Sequence, residues 1–151
     1  MPIATSSDII DLSSEDQTEE LANKILKKLK LGDVVFLYGE MGVGKTTFVR
    51  FLVNGLLKKN KLKKIEVTSP TFNLLNEYQI NQTKINHYDL FRLKSSDELK
   101  NLNLFEDKDS TITIIEWPQI INEKPKNLIE LTFKYAGNHK KRSAQIKGLN
   151  L

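Results

Sequence analysis

Apolar and polar positions alternate along this chain with two distinct periods, and the places where the period changes outline the elements. Ile9 to Leu12 reads as a short first strand. Ser13 and Ser14 then offer helix N-caps, and Gln17, three residues after Ser14, completes a capping box. Leu21, Ile25 and Leu29 follow at four-residue intervals, which predicts the buried face of a helix ending near Leu31-Gly32. The run Val34-Val35-Phe36-Leu37-Tyr38 has no polar interruption, as expected of a strand covered on both faces. Phe48, Phe51, Leu52 and Leu56 return to helical spacing, and that helix closes in Lys58, Lys59, Lys61, Lys63 and Lys64, where positive charge suits the C-terminal end of the helix dipole.

The second half is richer in strand patterns. Phe72 to Ile80 and Lys84 to Asp89 read as two strands joined by a turn at Asn81-Gln82-Thr83. Ser95 and Glu98 suggest a second capping box, opening a short helix that carries Leu99, Leu102 and Phe105. Thr111 to Ile115 is another strand of buried type. Ile129, Leu131, Phe133 and Tyr135 alternate with Glu130, Thr132 and Lys134, giving a strand with one wet face. A turn at Gly137-Asn138 leads to a last strand around Ala144 and Ile146. Neither repeats nor a Pro/Gly/Ser-rich linker divides the 151 residues, so one α/β domain is expected over residues 1–151, its mixed sheet parallel at the centre with antiparallel additions and flanked by helices.

Composition adds limits. The net charge is +4, but only Arg50, Arg92 and Arg142 are arginines among 23 basic residues. A lysine excess solubilises a surface more readily than it reads nucleic acid, so RNA is compatible with the charge without being required by it. The lysine run near Lys58 reads as an exposed helix end, with tRNA contact as the sharper alternative. Without cysteine, the chain has neither disulfides nor thiolate metal sites nor a cysteine nucleophile. No apolar run approaches the ~18 residues of a membrane span, and the polar, acidic N-terminus lacks a signal core, which points to a cytoplasmic protein with no membrane association.

The candidate chemistry starts between the uninterrupted strand and the following helix. Gly39-Glu40-Met41-Gly42-Val43-Gly44-Lys45-Thr46 satisfies G-x-x-x-x-G-K-[ST] at every fixed position, in the strand-to-helix context the motif needs. Glycines let the backbone from Glu40 to Gly44 wrap phosphates with its N–H groups, and the helix N-terminus faces the same anion. Lys45 is expected on the β- and γ-phosphates, Thr46 on Mg²⁺ and Thr47 beside the α-phosphate, so the expected cofactors are ATP and Mg²⁺. Glu116, ending an apolar strand, is the expected second metal-directed group. Asp89 ends another strand, and its spacing suits equally a catalytic acid or the cap of a turn. The hydroxyls of Thr68-Ser69-Pro70-Thr71 could sense the γ-phosphate, or merely build a turn. Trp117 fits the nucleotide site, a partner-facing surface or ordinary packing, and His87 reads as a structural or hydrogen-bonding histidine rather than a metal ligand.

Absences narrow the class. No Asn-Lys-x-Asp segment reads guanine, no Leu-Ser-Gly-Gly-Gln stretch marks a transporter ATPase, and three arginines leave little for the lid of a small-molecule kinase. The phosphate loop with Thr47, then Ser69-Pro70-Thr71-Phe72, His87-Tyr88-Asp89-Leu90-Phe91-Arg92 and Ile115-Glu116-Trp117-Pro118, resemble in order the signatures of the TsaE family from about Ile9 to Lys147. The resemblance implies a bacterial ATPase of tRNA threonylcarbamoyladenosine biosynthesis that works with the TsaB–TsaD heterodimer and meets tRNA through that complex. It further implies Lys45 and Thr46 on MgATP, Thr71 as a switch-like threonine, Asp89 and Glu116 as catalytic or metal-directed acids, and Trp117 near the site. Met41, Val43 and Phe91 stand where the family usually has Leu, Ala and Tyr, all outside the fixed glycines. Two rival readings remain: a nucleotide-gated binding module, and a small-molecule kinase.

Overall fold

The computed structural model describes residues 9–105, 109–137 and 139–151. Among the described residues seven strands and two α-helices follow in the order β1 (Ile9–Asp11), α1 (Glu15–Leu26), β2 (Val34–Tyr38), α2 (Lys45–Lys59), β3 (Leu75–Ile80), β4 (Thr83–Asp89), β5 (Thr111–Glu116), β6 (Leu128–Ala136) and β7 (Lys141–Lys147). Two 3₁₀ segments, Ser96–Asn101 and Pro118–Ile120, flank β5. The strands form one sheet in the order β1-β7-β6-β2-β5-β4-β3. Around the centre, β2 runs parallel to β5 and to β6, and β4 parallel to β5. The pairs β3–β4, β6–β7 and β1–β7 are antiparallel. The expected mixed α/β sheet is therefore the one observed.

The uninterrupted apolar run of β2 is explained by its two coverings. Val35 and Leu37 join α1 and α2 in one core, with Leu21, Ile25, Phe48, Leu52 and Ile114. Val34 and Phe36 point into a second core on the other face, closed by Tyr88, Leu90, Leu104 and Ile115. Each β2 side chain from Val34 to Leu37 is buried because neighbouring residues in a strand face opposite sides and both sides are roofed.

Helix α1 starts as expected. The Ser14 side chain accepts from the Gln17 N–H, and the Gln17 side chain accepts from the Ser14 N–H. It stops earlier than expected, at Leu26 rather than near Leu31. Asp33 Oδ2 takes the Lys30 N–H at 2.8 Å and Gly32 adopts φ 96°, so the chain turns, while Leu29 still packs on the core from outside the helix. Hydrophobic periodicity thus outlasted the helix by one turn.

Two further expectations are corrected. The strand predicted from Phe72 begins at Leu75, because the Leu74 N–H bonds to Pro70 O at 2.6 Å and Leu74 takes φ 67°. Phe72 is 83% exposed and belongs to this turn. The Ser95–Glu98 box does not form: Ser95 makes no side-chain cap bond, and Glu98 Oε2 accepts instead from the Lys94 N–H. A 3₁₀ segment results there in place of an α-helix. Asn138 of the expected turn lies outside the described residues.

Candidate functional site

Parallel strands carry their carboxyl ends to one edge, and the candidate site is built there. Leu37 pairs in register with Glu116, and Glu116 with Asp89. The ends of β2, β5 and β4 therefore stand side by side, at the edge where α/β sheets form their crevices. Beyond β2 the glycine loop turns back into α2. Gly39 has φ 145°, and an added Cβ would lie 2.8 Å from Phe133 O and 2.9 Å from Val43 Cγ1. Gly42 and Gly44 also hold positive φ, at 80° and 120°. The loop thus has its shape only with glycine at these positions.

Lys45 opens α2 and is almost wholly buried. Its Nζ donates to Gly39 O at 2.5 Å and stands 3.9 Å from the centre of the Trp117 ring. Burial lowers its pKa from the usual lysine value, against the smaller opposing pull of Glu116 and Asp89. The next residue, Thr46, donates its hydroxyl to Glu116 Oε2 at 3.2 Å. A hydroxyl and a carboxylate meeting in this way are hard oxygen donors of the kind Mg²⁺ takes. Among the described residues no group of three or more His, Cys, Asp or Glu is gathered as a metal cage. An ion held by one or two protein oxygens together with phosphates fits this donor set.

Asp89 is fixed by three donors. Ser69 Oγ (3.0 Å) and Thr71 Oγ1 (2.9 Å) donate to Oδ2, and the Phe91 N–H donates to Oδ1 at 3.0 Å. The Ser69–Thr71 segment is thereby tied to the end of β4. Trp117 adopts the left-handed conformation with φ 57° and ψ 57°, unusual for so bulky a residue. That conformation sets its ring against Phe91, at 4.9 Å between centroids, and beside Lys45.

A cleft of about 510 Å³ joins these residues, lined by Met41, Gly42, Gly44, Lys45, Thr46, Thr47, Ser69, Thr71, Phe72, Asp89, Phe91, Glu116 and Trp117. Of the residues expected from the sequence, all but Glu40, Val43 and Thr68 meet there. Glu40 is exposed at the loop's outer side, and Val43 buries its side chain in the helix-side core, with its N–H on Glu40 O at 3.2 Å. The lysine run lies elsewhere: Lys58, Lys59 and Lys64 line a larger groove of about 990 Å³ between α1 and α2.

His87 is the structural, hydrogen-bonding histidine expected from the sequence, and its partner is a site residue. It is completely buried, and its Nε2 lies 2.5 Å from Glu116 Oε2. Its place two residues before Asp89 on the same strand, inside the His87–Arg92 signature, is the signal in the sequence that it neighbours the site. Sequence reasoning misses Phe72 and Phe91 as rim residues, since apolar side chains read first as core. With Met41 they are exposed at 83%, 46% and 63% around the mouth of the cleft.

Comparisons with known proteins show what the chain is similar to. A tRNA threonylcarbamoyladenosine biosynthesis protein TsaE from Rickettsia conorii is 37% identical over 131 residues, covering 86% of this chain and 73% of that protein. The proteins of the same name from Aquifex aeolicus and Borreliella burgdorferi are 37% and 36% identical, covering 78% and 86% of this chain and 80% and 93% of their own lengths. The crystal structure of Bacillus subtilis YdiB shares the fold, with a TM-score of 0.69, 23% identity and coverage of 95% of this chain and 86% of that one. The family profile described as threonylcarbamoyl adenosine biosynthesis protein TsaE matches residues 12–144. By this match and these relatives the chain belongs to the TsaE family, whose role is in tRNA threonylcarbamoyladenosine biosynthesis.

Proposed function

We propose that this chain binds MgATP in the 510 Å³ cleft and hydrolyses it in the service of the TsaB–TsaD heterodimer. The observation that carries the reading is the convergence of Lys45, Thr46, Asp89 and Glu116, drawn from three separate stretches of sequence, on a glycine loop at a helix N-terminus. Lys45 meets the β- and γ-phosphates, and its buried position strengthens that attraction because little water screens it. Gly42 and Gly44 leave room for phosphate against the backbone, and Thr47 stands next along α2 for the α-phosphate.

Thr46 and Glu116 hold the metal side. When bound, Mg²⁺ supplies positive charge to the phosphate oxygens as the terminal bond breaks. The other acid has a different task. With three protein donors on its carboxylate, Asp89 anchors Ser69 and Thr71, so that Thr71 faces the cleft as a sensor of the terminal phosphate. Trp117 screens Lys45 from solvent and closes one wall.

Partner docking is supported by the rim. Phe72, Met41 and Phe91 place exposed apolar surface around the cleft mouth, which a second protein would cover and a metabolite would not need. This favours the ATPase subunit over a small-molecule kinase. The test is ATP turnover by the purified chain with and without a reconstituted TsaB–TsaD heterodimer. Strong stimulation is expected. Intact nucleotide binding with no stimulation would return the function to the kinase or binding-module readings, and a metabolite that stimulates turnover would select the kinase.

A further inference from the structure

The buried histidine of β4 has no task in the scheme above. His87 is fully buried on β4, in register with Ile114 of β5 and Asn76 of β3. Filling that space needs only an apolar side chain. Instead its Nε2 comes within 2.5 Å of Glu116 Oε2, the same oxygen that accepts from Thr46 Oγ1 at 3.2 Å. Its other ring nitrogen, Nδ1, is buried with no hydrogen-bond partner among the described residues.

That asymmetry assigns the tautomer. With the proton on Nε2, the ring donates to the carboxylate and Nδ1 is left as a lone acceptor. With the proton on Nδ1, a buried N–H would be orphaned while two lone pairs faced each other at Nε2 and Oε2. The first arrangement is favoured, since an orphaned buried donor and an acceptor–acceptor contact both cost free energy. His87 therefore donates to Glu116.

We infer that His87 is a positioning residue: it locks the Glu116 side chain in the orientation that, with Thr46, receives the metal. A free glutamate samples many rotamers and loses that freedom when it binds an ion. Here two donors on one oxygen have restricted it already, and the metal-side pair is assembled before the nucleotide arrives. Hydrogen-bonded partners of ligating carboxylates tune metal affinity by about 10- to 100-fold, which is the scale expected here. The inference rests on the reading of Glu116 as the metal-side acid.

The test compares two polar replacements of His87 whose amides reach different places. Glutamine carries its amide nitrogen to about the position of Nε2 and can still donate to Glu116; asparagine is shorter and cannot. For each, the affinity for a non-hydrolysable ATP analogue is measured with saturating Mg²⁺ and again in EDTA, and the ratio is the metal's contribution. Wild type and His87→Gln are expected to share a ratio well above one, and His87→Asn to lose about 10-fold or more of it with its EDTA affinity within twofold of wild type. A His87→Asn ratio equal to that of wild type would overturn the inference, leaving His87 as packing. Equal losses with and without Mg²⁺ would do the same, since they report general damage to the site. A wild-type ratio of one would overturn the metal reading itself, and the inference with it.

Discussion

Lys45 shows how a site residue can be costly to the fold it belongs to. Its ammonium group is almost fully buried, and its partners are a carbonyl and an indole face, with the two acids nearby. Burial is the larger influence on its pKa and lowers it. Two consequences follow at this scale. Lys45→Ala removes the charge-assisted contact to phosphate and is expected to weaken ATP binding by about 10- to 100-fold, read by calorimetric titration. Lys45→Met, which keeps the stem without the charge, is expected to raise the thermal midpoint of the nucleotide-free chain at neutral pH. The sign follows from linkage: a lysine with a depressed folded pKa destabilises the fold throughout the range below that value. The penalty fades as pH rises from the folded pKa toward the unfolded 10.5. The stability gap between Lys45→Met and wild type should therefore narrow in alkaline solution; a gap that widens would show that the charge stabilises the fold. Lys45 and Thr46 were legible from the motif alone, because their spacing from the glycines is what the chemistry needs. The bond from Thr46 to Glu116 was not, since 70 residues separate the two.

Among the elements, those with local causes match their sequence signals most closely. The capping box at Ser14 forms because its donors and acceptors are three residues apart and need nothing from the rest of the chain. The box at Ser95 has the same spacing, with Glu98 in place of a glutamine, and does not form, because Glu98 is taken by the Lys94 N–H. The β3 strand was over-read for a related reason: Phe72 and Leu74 are apolar and look like strand residues, but one closes a turn and the other lies open at the cleft. The turn from β2 into the glycine loop is the most constrained join. Gly39→Ala would put a Cβ 2.8 Å from the Phe133 carbonyl at a φ of 145° that alanine disfavours. It is expected to cost about 2–4 kcal/mol, from backbone strain together with the displaced β6, measured by urea unfolding. A loss below ~1 kcal/mol would mean that the loop and β6 separate more easily than their contacts suggest.

For the whole molecule, the sheet order brings three strand ends together and leaves an apolar rim facing outward. Phe72 is 83% exposed and stabilises little, its ring lying near Arg92 at 5.2 Å. Phe72→Ala is therefore expected to leave the thermal midpoint and ATP affinity unchanged while reducing TsaB–TsaD-stimulated turnover several-fold, the truncation cost typical of a central aromatic at an interface. Undiminished stimulation would move the docking surface elsewhere on the chain. Among the described residues no helix is long and apolar enough to cross a membrane, as the hydropathy of the sequence implied. The sequence by itself determined the glycine loop, the doubly buried β2 and the mixed α/β class, because phosphate wrapping, capping and side-chain period are set by residues within a few positions of each other. Tertiary structure alone decided that Glu116 meets Thr46 and His87, that Asp89 holds Ser69 and Thr71, and that Phe72 lies open. The physical reason is that parallel strands pair only across long crossovers, so which strand ends stand side by side is a property of sheet order and not of any local stretch of sequence.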